Sequence, residues 1–264
     1  MYMLLVCYKK NINLYFLNMS FINDIFEKYF TKSDKRTKST TLFHPKNGDP
    51  YVKSEDNLEE GYWTHINYIT FKNTFEELEK KENKYYTIVE TGCSAHGTKS
   101  TLLFDKFINY YDGELYSVDI NLDRVRDTQQ LVSGKTQVVC SDSVLFLNNF
   151  KKKIDLAYLD SFDVDWNNQK LSKDHHLEEF KQISDLFKIN SLLLIDDTPK
   201  NYLWIDLKKT NKNYQKIINI IKGSKFNGKG AYIYPYLIDN WSLIQHQYQM
   251  LWKCKSITSS IFSL

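Results

Sequence analysis

The sequence predicts an α/β fold: a doubly wound, mostly parallel sheet of seven strands, with a helical cover supplied by the N-terminal segment. Three observations carry this. From residue 86 onward, short apolar, β-branched runs alternate with helix-compatible stretches, the pattern of a parallel sheet. The first run ends in a glycine-punctuated turn, Gly92-Cys93-Ser94-Ala95-His96-Gly97, that opens a helix. Acids then stand at the ends of successive runs, at Glu90, Asp119, Asp142, Asp160 and the pair Asp196-Asp197. In a doubly wound sheet those ends share one edge, where ligands bind.

Composition fits such a domain. The chain has 264 residues, enough for one full α/β domain and an appendage. Its 35 basic and 32 acidic residues are too balanced to argue nucleic-acid binding from charge. Basic clusters at 32–38, 151–153 and 222–229 read as solvated loops and helix ends. Cys7, Cys93, Cys140 and Cys254 form no CxxC pair, so neither a zinc site nor a disulfide framework is indicated. The apolar run 1–7 is too short to span a bilayer, and no secretory signal is evident. Met19 is an alternative start, ahead of a cleaner helical pattern. The expected location is the cytoplasm, with no membrane partner.

The elements follow in order. Residues 20–30 (SFINDIFEKYF) predict an amphipathic helix capped by Ser20. Residues 31–60 are polar, with Pro45, Gly48 and Pro50, and read as an irregular connection. Residues 62–69 are aromatic-rich, and 74–81 (TFEELEKK) predict a helix starting at Thr74. Strands are expected at 86–90, 114–120, 136–140, 154–159 and 191–195, with helices from Ser100, at 123–131, at 143–150 and at 175–187. Residues 231–236 and 247–252 read as two further strands forming an antiparallel edge. The expected division is a cover segment, 1–84, and a ligand-binding domain, 85–264.

The glycine turn excludes two chemistries. A phosphate-binding P-loop needs GxxxxGK[ST], but residues 92–100 read GCSAHGTKS, with Thr98 between Gly97 and Lys99. A dinucleotide fingerprint needs GxGxxG, and Ser94 stands where the middle glycine would let backbone approach a pyrophosphate. What remains is acid-x-Gly at a strand end, with further acids after the next strands.

In this the chain resembles the class I S-adenosylmethionine-dependent methyltransferases, whose first motif is matched by Glu90-Thr91-Gly92. The resemblance implies that Glu90, Gly92, Ser94 and Gly97 shape the turn holding the methionine end of the cofactor. It implies that Asp119, with Ile120 beside it, accepts hydrogen bonds from the ribose hydroxyls. A carboxylate is a natural acceptor for a diol. It further implies that Ser141-Asp142-Ser143 meets the adenine, Asp142 accepting from the exocyclic amine.

Asp160 and the Asp196-Asp197 pair form a second constellation, at strand ends predicted to be neighbours and beside the cofactor. Three converging carboxylates repel one another, and a hard divalent cation relieves that. The alternative is that Asp160 pairs with a lysine and Asp197 caps a helix. The acids resemble those of the metal-dependent macrocin O-methyltransferase and cephalosporin-hydroxylase-like group, which implies Mg²⁺ on Asp160, Asp196 and Asp197. The likeness covers about residues 86–252, and the stretch 161–190, with SFDVDW and DHHLEEF, is long for that group. His175 and His176, expected at a helix start, are candidates for the base, with Asp160 as neighbouring acid. Asp163, Asp165 and Trp166 are candidates for the acceptor pocket, and Tyr62, Trp63 and His65 for a cover over the cofactor. His96 reads as packing and Gly228-Lys229-Gly230 as a tight turn. The expected reaction is O-methylation of a small molecule or sugar. A hydroxylase-like reaction on the same fold, or a non-catalytic nucleic-acid-binding module, are the alternatives. A homodimer is compatible with either.

Overall fold

Seven strands form one sheet in the order β3-β2-β1-β4-β5-β7-β6, comprising β1 (Tyr86–Thr91), β2 (Gly113–Asp119), β3 (Thr136–Cys140), β4 (Ile154–Leu159), β5 (Phe187–Ile195), β6 (Trp241–His246) and β7 (Met250–Cys254). The first five are mutually parallel; β7 runs antiparallel to β5, and β6 antiparallel to β7. The computed structural model describes residues 20–33, 42–43, 50–51, 64–81, 85–93, 98–200, 219 and 226–257.

β1 and β4 are buried on both faces along their whole length, as is the end of β5, which is why Leu192 to Ile195 read as a continuous apolar run. Their period of two divides the core between two layers. Ile88, Leu156, Tyr158, Leu192 and Leu194 face one layer. Val89, Ala157, Leu159, Leu193 and Ile195 face the other.

The first layer holds helices α1 (Glu27–Ser33), α2 (Tyr68–Glu79) and α3 (Ser100–Tyr111). A π-helical turn, Ile22–Phe26, leads into α1. Their aromatic side chains form one cluster: Phe21 lies 4.8 Å from Phe75 and 5.2 Å from Phe107, and Phe71 meets the β4 residue Tyr158 at 5.5 Å. Ser20 accepts from the Ile22 amide at 3.2 Å and donates to Glu79 at 3.1 Å, tying this turn to α2. Helix α2 begins six residues before the expected Thr74, whose hydroxyl bonds back to the Thr70 carbonyl inside the helix.

The second layer holds α5 (Ser143–Asn149) and α6 (Lys170–Ile183), with α4 (Leu122–Gln129) beside β3. Helix α6 starts at Lys170, so the histidine pair sits one to two turns inside it rather than at its start. The expected strand over 231–236 is instead a 3₁₀ turn, Lys229–Ala231, followed by α7 (Tyr234–Leu237). Pro235 occupies the first turn of that helix, a position where its missing N–H costs nothing. The sixth strand is Trp241–His246. No helix among the described residues is long and apolar enough to cross a membrane.

Candidate active site

After β1 the chain builds β2 and β3 on one side, then returns to place β4 on the other, so the crevice opens at the carboxyl ends of β1 and β4. Gly92 is positioned there by necessity. Its φ is +84°, and an added Cβ would lie 2.3 Å from the Asp160 carbonyl oxygen. The two strand ends therefore touch backbone to backbone.

Beside that contact lies a cavity of about 430 Å³. It is lined by six of the predicted residues, Gly92, Asp119, Ile120, Ser141, Asp142 and Ser143, joined by Val118, Asn121, Arg124, Ser161, Phe162 and the predicted base His175. Asp119 is buried; its Oδ2 accepts from the Cys93 amide at 3.2 Å and its Oδ1 from the Asn121 amide at 2.7 Å. Arg124 stands 3.6 Å from the same carboxylate. The next side chain, Ile120, is 77% exposed at the cavity, and Phe162 is 44% exposed. Such a wall offers a fixed anionic acceptor beside uncovered apolar surface, the combination common to small-molecule pockets. Asp142 caps α5 by accepting from the Leu145 amide at 2.9 Å.

Glu90 lies beneath the cavity, outside its lining. Fully buried, it accepts from Ser100, from Thr101 at 2.6 Å and from Ser117 at 2.5 Å, holding the start of α3 against β1 and β2. Burial pushes its pKa up to about 7, against the pull of the three hydroxyls. Ser94, His96 and Gly97 lie outside the described residues, as do Tyr62, Trp63 and the side chain of His65.

The two histidines part company. His175 lines the cavity, with Nε2 3.0 Å from Ser143 Oγ and 3.3 Å from Glu179 Oε1. Burial opposes its protonation, but the Glu179 carboxylate prevails and raises its pKa. His176 is fully enclosed, with Nδ1 2.7 Å from the Ser172 carbonyl, and burial pushes it down to about 4. That placement keeps it away from any acceptor. Glu179, which the sequence reading did not single out, also accepts from Ser161 at 2.6 Å and Thr91 at 3.3 Å. Asp163 and Asp165 are exposed, and Asp165 closes a turn on the Asn167 amide.

Behind Ser161, the three acids do converge: oxygens of Asp160, Asp196 and Asp197 lie within 4.8 Å of one another. That spacing would suit a hard cation. The place is taken, however, by Lys229, whose Nζ is 2.6 Å from Asp160 Oδ1 and 3.1 Å from Asp197 Oδ2. The lysine side chain is wholly buried. Three of the other four oxygens are engaged as well. Tyr158 donates to Asp160 Oδ2 at 3.0 Å, Gln249 to Asp196 Oδ1 at 2.7 Å, and Tyr248 to Asp197 Oδ1. Burial raises the Asp160 and Asp196 pKa values, with Asp160 adding to the rise at Asp196. Burial would raise Asp197 too, yet the Lys229 ammonium and Tyr248 hydroxyl hold it low. Mg²⁺ does not fit this arrangement while Lys229 is in place.

The flanking glycines explain how the lysine gets there. An added Cβ at Gly228 (φ +74°) would lie 1.7 Å from the Asp197 carbonyl oxygen, and one at Gly230 would lie 2.5 Å from Met250 Cε. The segment read as a mere turn is a close backbone approach that delivers a charge. The described lysines of the 151–153 cluster are locally engaged, by the Asn148 carbonyl, by Glu114 with Tyr116, and by the Asp185 carbonyl.

Strand order, glycine contact and cavity together invite comparison with known proteins. The methyltransferase PaMTH1 of Podospora anserina, solved with S-adenosylhomocysteine bound, superposes with a TM-score of 0.51 over 94% of this chain and 95% of its own, at 12% identity. The fold is a methyltransferase fold. Two lesser likenesses are an rRNA methylase from Streptococcus thermophilus (TM-score 0.42, 10% identity, 70% of this chain and 96% of that one) and the MycE methyltransferase of mycinamycin biosynthesis, solved with Mg and S-adenosylhomocysteine (0.48, 13%, 72% and 50%). No protein-family model matches the sequence, and no curated protein sequence matches it significantly.

Proposed function

We propose that this chain is an S-adenosylmethionine-dependent methyltransferase acting on a hydroxyl of a small molecule or sugar. The observation that carries the reading is the cavity at the β1–β4 crevice. Asp119 offers a fixed carboxylate to a ribose diol, Ile120 an uncovered apolar face to a purine, and Ser141 to Ser143 a polar far wall. The fold shared from end to end with PaMTH1, which holds S-adenosylhomocysteine, supports it.

The bound cofactor supplies a methyl group activated by a sulfonium. The chain's own residues bind, orient and handle the proton. Gly92 keeps the strand ends close enough to form the floor. Ser161 and Phe162 close the wall next to Asp160. His175, held by Ser143 and Glu179, is the titratable group of the wall placed to accept the proton of an acceptor hydroxyl. Methylation of oxygen rather than nitrogen is favoured by the carboxylate and imidazole side chains around the crevice, which suit deprotonation of a hydroxyl.

Isothermal titration of S-adenosylhomocysteine into the protein tests the reading. One site is expected, with or without Mg²⁺ or EDTA. Asp119→Ala removes two charge-assisted hydrogen bonds, about 3–4 kcal/mol in all, so affinity should fall roughly 10²–10³-fold. Absence of binding to the native protein overturns the reading.

A further inference from the structure

The carboxylate cluster at the ends of β4 and β5 carries its own cation. We infer that the Lys229 ammonium is the resident positive charge of the Asp160–Asp196–Asp197 site, taking the role a divalent metal would have there, so that this chain works without one. The chemical meaning rests on the methyl-transfer reading; the cation assignment itself does not.

The geometry supports this in three ways. Lys229 Nζ reaches Asp160 and Asp197 at 2.6 and 3.1 Å while wholly buried, so it is enclosed by the carboxylates rather than passing by them. A buried ammonium with this many anionic partners is a fixed part of the site, since neither side could stay charged alone. The backbone is built to deliver it. The Lys229 amide donates to the Asp197 carbonyl at 3.1 Å, Gly230 N donates to Thr198 Oγ1 at 2.9 Å, and Gly228 N donates to Gln169 Oε1 at 2.9 Å. Finally, Tyr158, Tyr248 and Gln249 fill remaining acceptor positions on the three acids, positions a metal would otherwise draw upon.

A consequence concerns the acceptor. A bound divalent ion favours acceptors with two adjacent oxygens, which it can chelate. A buried ammonium cannot offer two open coordination positions. The acceptor class implied is therefore a single hydroxyl, positioned by hydrogen bonds, rather than a catechol or another chelating diol.

The test is a Mn²⁺ titration of EDTA-treated, desalted protein, with free Mn²⁺ followed by electron paramagnetic resonance. The native chain should leave Mn²⁺ free into the millimolar range. Lys229→Ala should bind one Mn²⁺ at least tenfold more tightly than the native protein, with Mg²⁺ competing, and a second change, Asp197→Asn, should abolish that site. Stoichiometric Mn²⁺ binding by the native chain, lost in Asp197→Asn, overturns the assignment. Failure of both the native chain and folded Lys229→Ala to bind overturns it too, because the carboxylates would then need no cation. Lys229→Met, which keeps most of the side-chain volume, replaces the alanine variant if that one does not fold. If neither folds, the native titration decides alone. S-adenosylhomocysteine titrated into the same native sample separates the two ideas: no binding sinks the methyltransferase reading and leaves the cation result to stand or fall by itself.

Discussion

Glu90→Gln isolates the energetic character of the site's floor. Glu90 is fully buried, and burial raises its pKa from the ordinary 4.5 to about 7. Between those values the folded chain keeps a proton that the unfolded chain has released. Stability therefore falls as pH rises through that window, and is level below pH 4.5 and above pH 7. At about 1.36 kcal/mol per pH unit, the total change is about 3 kcal/mol. Glutamine has the same shape and does not titrate. The hydroxyls of Ser100, Thr101 and Ser117 both donate and accept, so they can reorient around an amide. The assay is urea unfolding of both proteins at pH 4.5, 6 and 8. The native protein's stability relative to the variant should decline by about 3 kcal/mol across the series, a relative midpoint shift of about 1 M or more in urea. A difference that stays constant from pH 4.5 to 8 would refute the reasoning, because the three hydroxyls would then have overcome the burial that keeps the proton on.

Other expectations follow from neighbouring contacts. Gly92→Ala combines a positive φ with a Cβ 2.3 Å from a carbonyl oxygen, and should cost about 2 kcal/mol or more, seen as a melting temperature lower by about 4–8 °C. The His175 imidazole should titrate above its ordinary 6.5 by NMR, and Glu179→Gln should bring it below, since burial, with the Lys229 charge, would then outweigh the weaker pull of Asp142. Phe71→Ala should destabilise the protein by about 3–5 kcal/mol in urea unfolding, because Phe71 joins the N-terminal aromatic cluster to β4 through Tyr158.

Much of the frame was legible before the structure. Runs such as Ile88-Val89 and Leu192-Leu193-Leu194-Ile195 are apolar because both sheet faces are covered, and nothing in the sequence competes with that reading. The edge was harder. Ala231 to Tyr236 looks like a strand by apolar content, yet Pro235 suits a helix start and the segment turns. For the site, acids at strand ends could be found by position alone, and seven predicted residues do line one cavity. Lys229 could not be placed that way. Its partner Asp160 lies 69 residues earlier in the chain, and the close approach that joins them depends on tertiary packing. The available hint was the pair of glycines around a single lysine. His176 misled for a related reason: periodicity marks a helix face, but only the packed structure shows that this one faces inward.

The chain leaves β5 through Thr198 and returns at Gly228, and both ends of that excursion are pinned. The Thr198 amide donates to the Tyr248 carbonyl, and the Lys229 amide to the Asp197 carbonyl. A span whose two ends are already fixed side by side behaves thermodynamically as a closed ring. Lengthening such a ring costs little, about 0.6 kcal/mol for each doubling. The hydrogen bonds at Thr198 and Lys229, rather than the length of what joins them, therefore keep the acids and the lysine in register.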